Sequence, residues 1–201
     1  YEIRVCDWSS DVCSSDLSNI QQYSFNGSDD QKWRVENAGE GYIKLISQTG
    51  SQWRAVDVFN TLNEDGTNIQ LYPDLGHEAQ KFKLKLAAGG GYQLLAKCSK
   101  DTRCIMVSAG SAPNDVFADK ANVELGSAAS DSEPRSIWYF EPADEGNVSE
   151  APQDGMLCRI RARHSGQYVQ TTGAEVGSTF KQAYSSQKHP RKNDKTGVSS
   201  A

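Results

Sequence analysis

The chain repeats itself. Asn19-Ile20-Gln21-Gln22-Tyr23 leads, after a turn, to Gln31-Lys32-Trp33, and 49 residues on Asn68-Ile69-Gln70-Leu71-Tyr72 leads to Gln80-Lys81-Phe82. Eight residues separate the Tyr from the Gln in both copies. A looser third copy runs from Asn122-Val123-Glu124-Leu125 to Ser136-Ile137-Trp138. Between these marks two more segments match across copies. Gly41-Tyr42-Ile43-Lys44-Leu45 pairs with Gly91-Tyr92-Gln93-Leu94-Leu95, and Ala55-Val56-Asp57-Val58 pairs with Cys104-Ile105-Met106-Val107. A period near 50 residues restricts the fold to architectures made by laying down one supersecondary unit several times.

Each unit holds four short segments of strand character, punctuated by Gly, Asn, Asp and Ser turns. Residues 82–86 (Phe-Lys-Leu-Lys-Leu) alternate strictly, the pattern of a half-buried strand, and no segment sustains the 3.6-residue period of a helix. The expected class is all-β. One unit is too small to bury a core, whereas three folded around a pseudo-threefold axis bury one together, which is a β-trefoil. Three four-stranded blades are too few to close a propeller. Four Trp, eight Tyr and six Phe are too many for a disordered chain.

The Q-x-W spacing, the N-[IV]-Q-x-Y segment and the V-D-V segment resemble the ricin B-type lectin repeat, the carbohydrate-binding module family 13, over residues 18–142. The resemblance implies a β-trefoil of three repeats of about 50 residues that binds a polysaccharide or other glycan without a cofactor and without catalysis. Such modules are attached to many bacterial glycoside hydrolases, so the expected role is an accessory module fused to a catalytic or surface domain in the intact protein. A protein-binding trefoil with a degenerate sugar site, an inhibitor or receptor-binding module, is the alternative.

Residues 1–17 (YEIRVCDWSSDVCSSDL) are set aside. Residues 7–17 are what a common short-read sequencing adapter gives on translation, and residues 3–6 would span its variable index, so Cys6 and Cys13 carry no redox information. The trefoil is assigned to 18–142, with its first repeat truncated. Residues 143–155 are acidic and Pro/Gly-punctuated and read as a linker. Residues 156–184 resemble the start of a second ricin-type repeat, and 185–201 form an unassigned polar tail. Within 18–142 the first copy supplies only the last two of its four strands. Residues 157–172 therefore either open a new repeat or fill the two vacant positions, by pairing with the strands at 20–23 and 138–141.

Strand alternation selects the candidate site. With Val56, Val58, Ile69 and Leu71 facing inward, Asp57, Asn68, Gln70 and Tyr72 face the other way and are expected to be exposed. An acid and an amide take sugar hydroxyls while a ring stacks on the C–H face. In ricin-type lectins the positions of Asp57, Gln70 and Tyr72 hold the sugar. Many members of that family carry Asn just before the Gln of Q-x-W, but Ala79 and Asp30 stand there in this chain. His77 is therefore a further candidate contact. The first copy retains Gln21 and Tyr23 as a secondary site, whereas Met106 and Gly126 leave the third copy without one. Gln31, Trp33, Gln80, Phe82 and Trp138 are assigned to core and turns. A shallow site of this kind implies a Kd near the millimolar range, about −4 kcal/mol.

Cys98 and Cys104 flank a five-residue turn, and a disulfide between them is expected, with an extracellular, secreted setting. The formal net charge of −5 argues against binding a nucleic-acid backbone, and no apolar run approaches the roughly 18 residues needed for membrane insertion. No metal-ligand spacing, phosphate loop or nucleophile motif stands out.

Overall fold

The computed structural model describes residues 18–50, 53–110, 117–118, 120–128, 130, 132–143 and 151–172. The expectations for residues 1–17 and for 173–201 lie outside these. Twelve strands follow in order: β1 (Ile20–Tyr23), β2 (Trp33–Asn37), β3 (Tyr42–Ser47), β4 (Arg54–Val58), β5 (Ile69–Pro73), β6 (Phe82–Leu86), β7 (Tyr92–Ala96), β8 (Arg103–Val107), β9 (Val123–Ser127), β10 (Trp138–Pro142), β11 (Leu157–Ala162) and β12 (Tyr168–Thr171).

Six of them close a barrel. β2 pairs β3, β3 pairs β6, β6 pairs β7, β7 pairs β10, β10 pairs β11, and β11 returns to β2. The other six form three antiparallel pairs: the hairpins β4–β5 and β8–β9, and β12–β1, which takes the place of a hairpin although its strands are not consecutive in the chain. The three pairs are joined cyclically by backbone bridges at Asn19–Gln70, Asn68–Glu124 and Gln21–Asn122. This is a β-trefoil of three four-strand units, two of which, β3–β6 and β7–β10, are contiguous stretches of the period visible in the sequence.

The first unit is assembled from both ends of the described residues. β11 packs in five-residue register on β10, from Trp138–Ala162 to Pro142–Cys158, and β12 pairs all along β1, from Ile20–Thr171 to Tyr23–Tyr168. The segment that resembles the start of another repeat therefore fills the two vacant positions of this trefoil. The part of the proposed linker that is described serves the same barrel: Gly155 donates to the Val35 carbonyl at 2.8 Å and the Asn37 amide to Asp154 Oδ1 at 2.7 Å.

The core repeats in threes, because equivalent strands deliver equivalent side chains to one axis. Ile20, Ile69 and Val123 form one set, Val56, Ile105 and Val169 a second, and Leu45, Leu94 and Ile160 a third; all surround a small central hollow. Trp33, Phe82 and Trp138, at the starts of β2, β6 and β10, are wholly buried. Trp33 Nε1 donates to the Val169 carbonyl at 3.1 Å and Trp138 Nε1 to the Ile105 carbonyl at 3.0 Å, which meets the requirement that a buried indole N–H find a partner. Gly91 (φ 80°) is fixed by packing as well as conformation, since a Cβ there would lie 2.7 Å from Ile137.

The expected disulfide is absent: Cys98 and Cys104 are free thiols. The local turn geometry explains it. Cys98 lies in a 3-10 turn and packs against the central core, whereas Cys104 stands opposite Leu95 and packs in a separate small cluster with Leu95 and Met106. Flanking a hairpin turn brought the two close in sequence and aimed them apart. Burial pushes both thiols up to about 11, so neither is a ready thiolate.

Trp138→Phe keeps an aromatic ring but removes the indole N–H, strands the buried Ile105 carbonyl and leaves a small cavity. The expected loss is about 1–3 kcal/mol, measured by denaturant unfolding. Deleting residues 157–172 is expected to abolish the cooperative transition altogether, because it opens two barrel edges at once.

Candidate functional site

The β4–β5 hairpin brings the predicted residues together. Asp57 stands directly opposite Gln70, and Tyr72 opposite Ala55. Gln70 Nε2 donates to Asp57 Oδ1 at 3.0 Å. His77 Nε2 lies 3.6 Å from the other carboxylate oxygen, Oδ2, which has no hydrogen-bond partner within the protein. The rings of Tyr72 and His77 lie 6.2 Å apart, tilted by 43°, and Tyr72 is half-buried. Acid, amide, phenol and imidazole thus form one cluster.

The expected exposure of the polar pair is corrected. Asp57 is only 3% and Gln70 only 4% exposed. The turn Glu78–Gln80 folds over β4, itself flanked by the turns Phe59–Thr61 and Lys97–Ser99. These covering elements lie outside the two strands, so alternation within the hairpin does not reveal them. The acid is the floor of the cluster, and the exposed His77 and half-buried Tyr72 are its rim. Burial raises the Asp57 carboxyl above the usual carboxylate range, partly offset by the Gln70 hydrogen bond and the nearby His77 and Gln80.

Gln80 holds the rim in place. Its Oε1 accepts from the backbone amides of Leu75 at 3.0 Å and Gly76 at 2.9 Å, and its Nε2 donates to the Pro73 carbonyl at 2.8 Å. The Gln of the Q-x-W spacing is thus a turn-former that presents His77. Ala79 is packed into the core and offers no polar group to a ligand.

Asn68 is placed elsewhere. Its Oδ1 accepts from Asn122 Nδ2 at 2.9 Å, and Asn122 Oδ1 accepts from Asn19 Nδ2 at 2.7 Å. The three equivalent Asn residues of the repeat form an amide chain between the hairpins.

The other two hairpins diverge. Register makes Gln170 and Met106 the equivalents of Asp57, Gln21 and Glu124 those of Gln70, and Tyr23 and Gly126 those of Tyr72. Gln21 and Tyr23 thus sit beside a carboxamide where the first site has a carboxylate. Gln170 Oε1 accepts from Gln31 Nε2 at 3.1 Å and from Asn26 Nδ2 at 3.3 Å. Gln170 escaped sequence reasoning, although aligning Tyr168-Val169-Gln170 with Ala55-Val56-Asp57 would have exposed it. In the third hairpin the Met106 thioether lies over Gly126 and fills the place of the aromatic ring.

Residues 7–72 match the family model of the ricin-type beta-trefoil lectin domain-like family. Among solved structures the chain is similar to a designed 3-fold symmetric protein, ThreeFoil, at 24% identity and a TM-score of 0.45, covering 75% of this chain and 86% of that one. No curated protein matches the chain.

Because burial raises the Asp57 carboxyl, the folded state binds that proton more tightly than the unfolded chain does. The charged form therefore weighs against folding at neutral pH, and the penalty disappears as pH falls through the raised value towards the ordinary one near 4. Asp57→Asn is expected to melt higher than the parent at neutral pH, with the gap closing on acidification. Calorimetric scans across that range check it.

Proposed function

We propose that this chain binds carbohydrate without catalysis at the β4–β5 hairpin, through Asp57, Gln70, Tyr72 and His77. One observation carries the reading: a carboxylate oxygen, Asp57 Oδ2, sits buried and without a hydrogen-bond partner within the protein, beside the exposed His77 ring that neighbours the half-buried Tyr72. A buried acceptor left unsatisfied costs on the order of 1–3 kcal/mol, and a hydroxyl donor arriving under the rings would meet it. Gln70 holds the carboxylate in orientation, Tyr72 offers its face to sugar C–H groups, and a shift of His77 admits the ligand. The lectin-like match over residues 7–72 supports the same assignment.

A single site of this size retains a polymer weakly, so tethering is what makes it useful. We place the module beside a catalytic or surface domain of a longer extracellular polypeptide, where it holds that partner near polysaccharide. The rival reading, a protein-binding trefoil, is favoured by the depth of Asp57 and by the apolar Ala79.

Affinity electrophoresis in gels cast with soluble xylan, arabinan or galactan separates the two. Tyr72→Ala is expected to lose retention by about tenfold or more while melting as the parent does. Retention that survives Tyr72→Ala removes the sugar site from this hairpin. Binding should also fade on acidification, and because Asp57 titrates above the ordinary range, the loss should begin at a higher pH than for an ordinary carboxylate.

A further inference from the structure

Just before β4, the chain places Trp53 on the same face of the hairpin. The Asp74 amide donates to the Trp53 carbonyl at 3.3 Å, extending the β4–β5 ladder by one step. Alternation then sets Trp53, Ala55 and Asp57 along one strand, opposite Asp74, Tyr72 and Gln70 on the other. Trp53 and Tyr72 are diagonal neighbours, about 7–8 Å apart by sheet geometry, with only the small, buried Ala55 on the floor between them. Long aromatic side chains at that spacing can lie under neighbouring units of one glycan chain.

Trp53 is 60% exposed, yet it is held. The Arg34 guanidinium lies 3.9 Å from the ring centroid, covering one face. Arg34 is fixed by Glu36 at 2.6 Å, and Lys44 ties Glu36 at 3.2 Å to Asp74 at 2.5 Å. An indole backed by a charge network on one side presents the other side to solvent at little further entropic cost.

The pseudosymmetry supplies an independent comparison. On the β12–β1 hairpin, which keeps Gln21 and Tyr23, the position equivalent to Asp74 is Phe25. It is 50% exposed and backed by the Arg159 guanidinium at 4.9 Å. On the β8–β9 hairpin, whose aromatic position is Gly126, the equivalents of Trp53 and Asp74 are Thr102 and Ala128, joined by the same backbone bond at 3.2 Å. Exposed outer aromatics accompany the Gln–Tyr pair on the two hairpins that have it and are missing from the one that does not.

We infer that Trp53 is a second sugar-stacking platform beside Tyr72, so that the β4–β5 hairpin takes two or more linked pyranose residues of a glycan chain. The inference rests on the carbohydrate reading given above. It makes the ligand an oligosaccharide segment, with Tyr72 and Asp57 holding one unit and Trp53 the next.

Calorimetric titration with xylo-, arabino- and galacto-oligosaccharides of one to four residues tests it. In at least one series, affinity should rise about tenfold from the single sugar to the trimer. Trp53→Ala should remove that rise while leaving the monosaccharide affinity and the melting curve unchanged, and Trp53→Phe should restore most of it. Tyr72→Ala, by contrast, should weaken every length. Affinity that is flat with chain length, or a Trp53→Ala protein that titrates like the parent throughout, overturns the second platform and leaves the Tyr72 site standing. Absence of binding in all three series overturns the carbohydrate reading, and the platform with it.

Discussion

The ladder between β12 and β1 holds the rest together. It joins Tyr168–Thr171 to Ile20–Tyr23, and with β11 and β2 it makes up one third of the architecture. Ile160 and Val169 complete sets of three around the axis, and the Val169 carbonyl accepts the Trp33 indole proton. Without β11 and β12, β2 and β10 would each present an open edge, and Trp33 would lose both its acceptor and part of its packing. The fold is therefore cooperative in a particular sense. No two of its units enclose a core, because each apolar set needs a contribution from all three.

The same threefold plan separates what may vary from what may not. Positions that meet at the axis stay aliphatic, since packing at interior density punishes changes of volume. Positions on the outer face of the hairpins answer to no such rule, and there the copies part company. Lys44 pairs with the Asp74 carboxylate in one unit, while its counterpart Arg159 lies over the ring of Phe25, which stands at the Asp74 position. The cation is retained and its partner changes from charge to π-face. Asp57, Met106 and Gln170 are likewise three answers at one backbone position, offering an anion, an apolar thioether and a neutral amide.

Much of this was legible in the sequence, for identifiable reasons. The spacing from Asn-Ile-Gln-x-Tyr to Gln-Lys-aromatic is a local pattern repeated at a fixed offset, and it determined the unit, the fold and the role of Gln80 in shaping a turn. Alternation within β4 and β5 correctly placed Asp57, Gln70 and Tyr72 on one face. What local pattern did not carry was the third dimension. The cover over Asp57 comes from the turn that follows β5, which the turn after β7 backs, so its burial is not written in the alternation of β4 and β5. Asn68 resembled a site residue on its own strand, and only the meeting of three hairpins draws it into an amide chain with Asn122 and Asn19. Cys98 and Cys104 failed as a pair because a 3-10 turn, which alternation does not describe, sends one side chain to the central core. Trp53 went unremarked because it precedes the strand and matches nothing in the other copies.

The pairing of the earliest described strand with the latest also bears on how the molecule is made. During synthesis β1 emerges long before β12, so its unpaired amides and carbonyls, and the buried faces of Ile20 and Gln22, must wait until β2 to β11 have been made. Contacts of such long sequence separation are slow to form, and waiting strands invite pairing with neighbouring chains. The units comprising β3–β6 and β7–β10 are each contiguous and able to pair as they leave the ribosome. The composite unit closes last, which makes the final step of folding the one at which nascent chains are most exposed to one another.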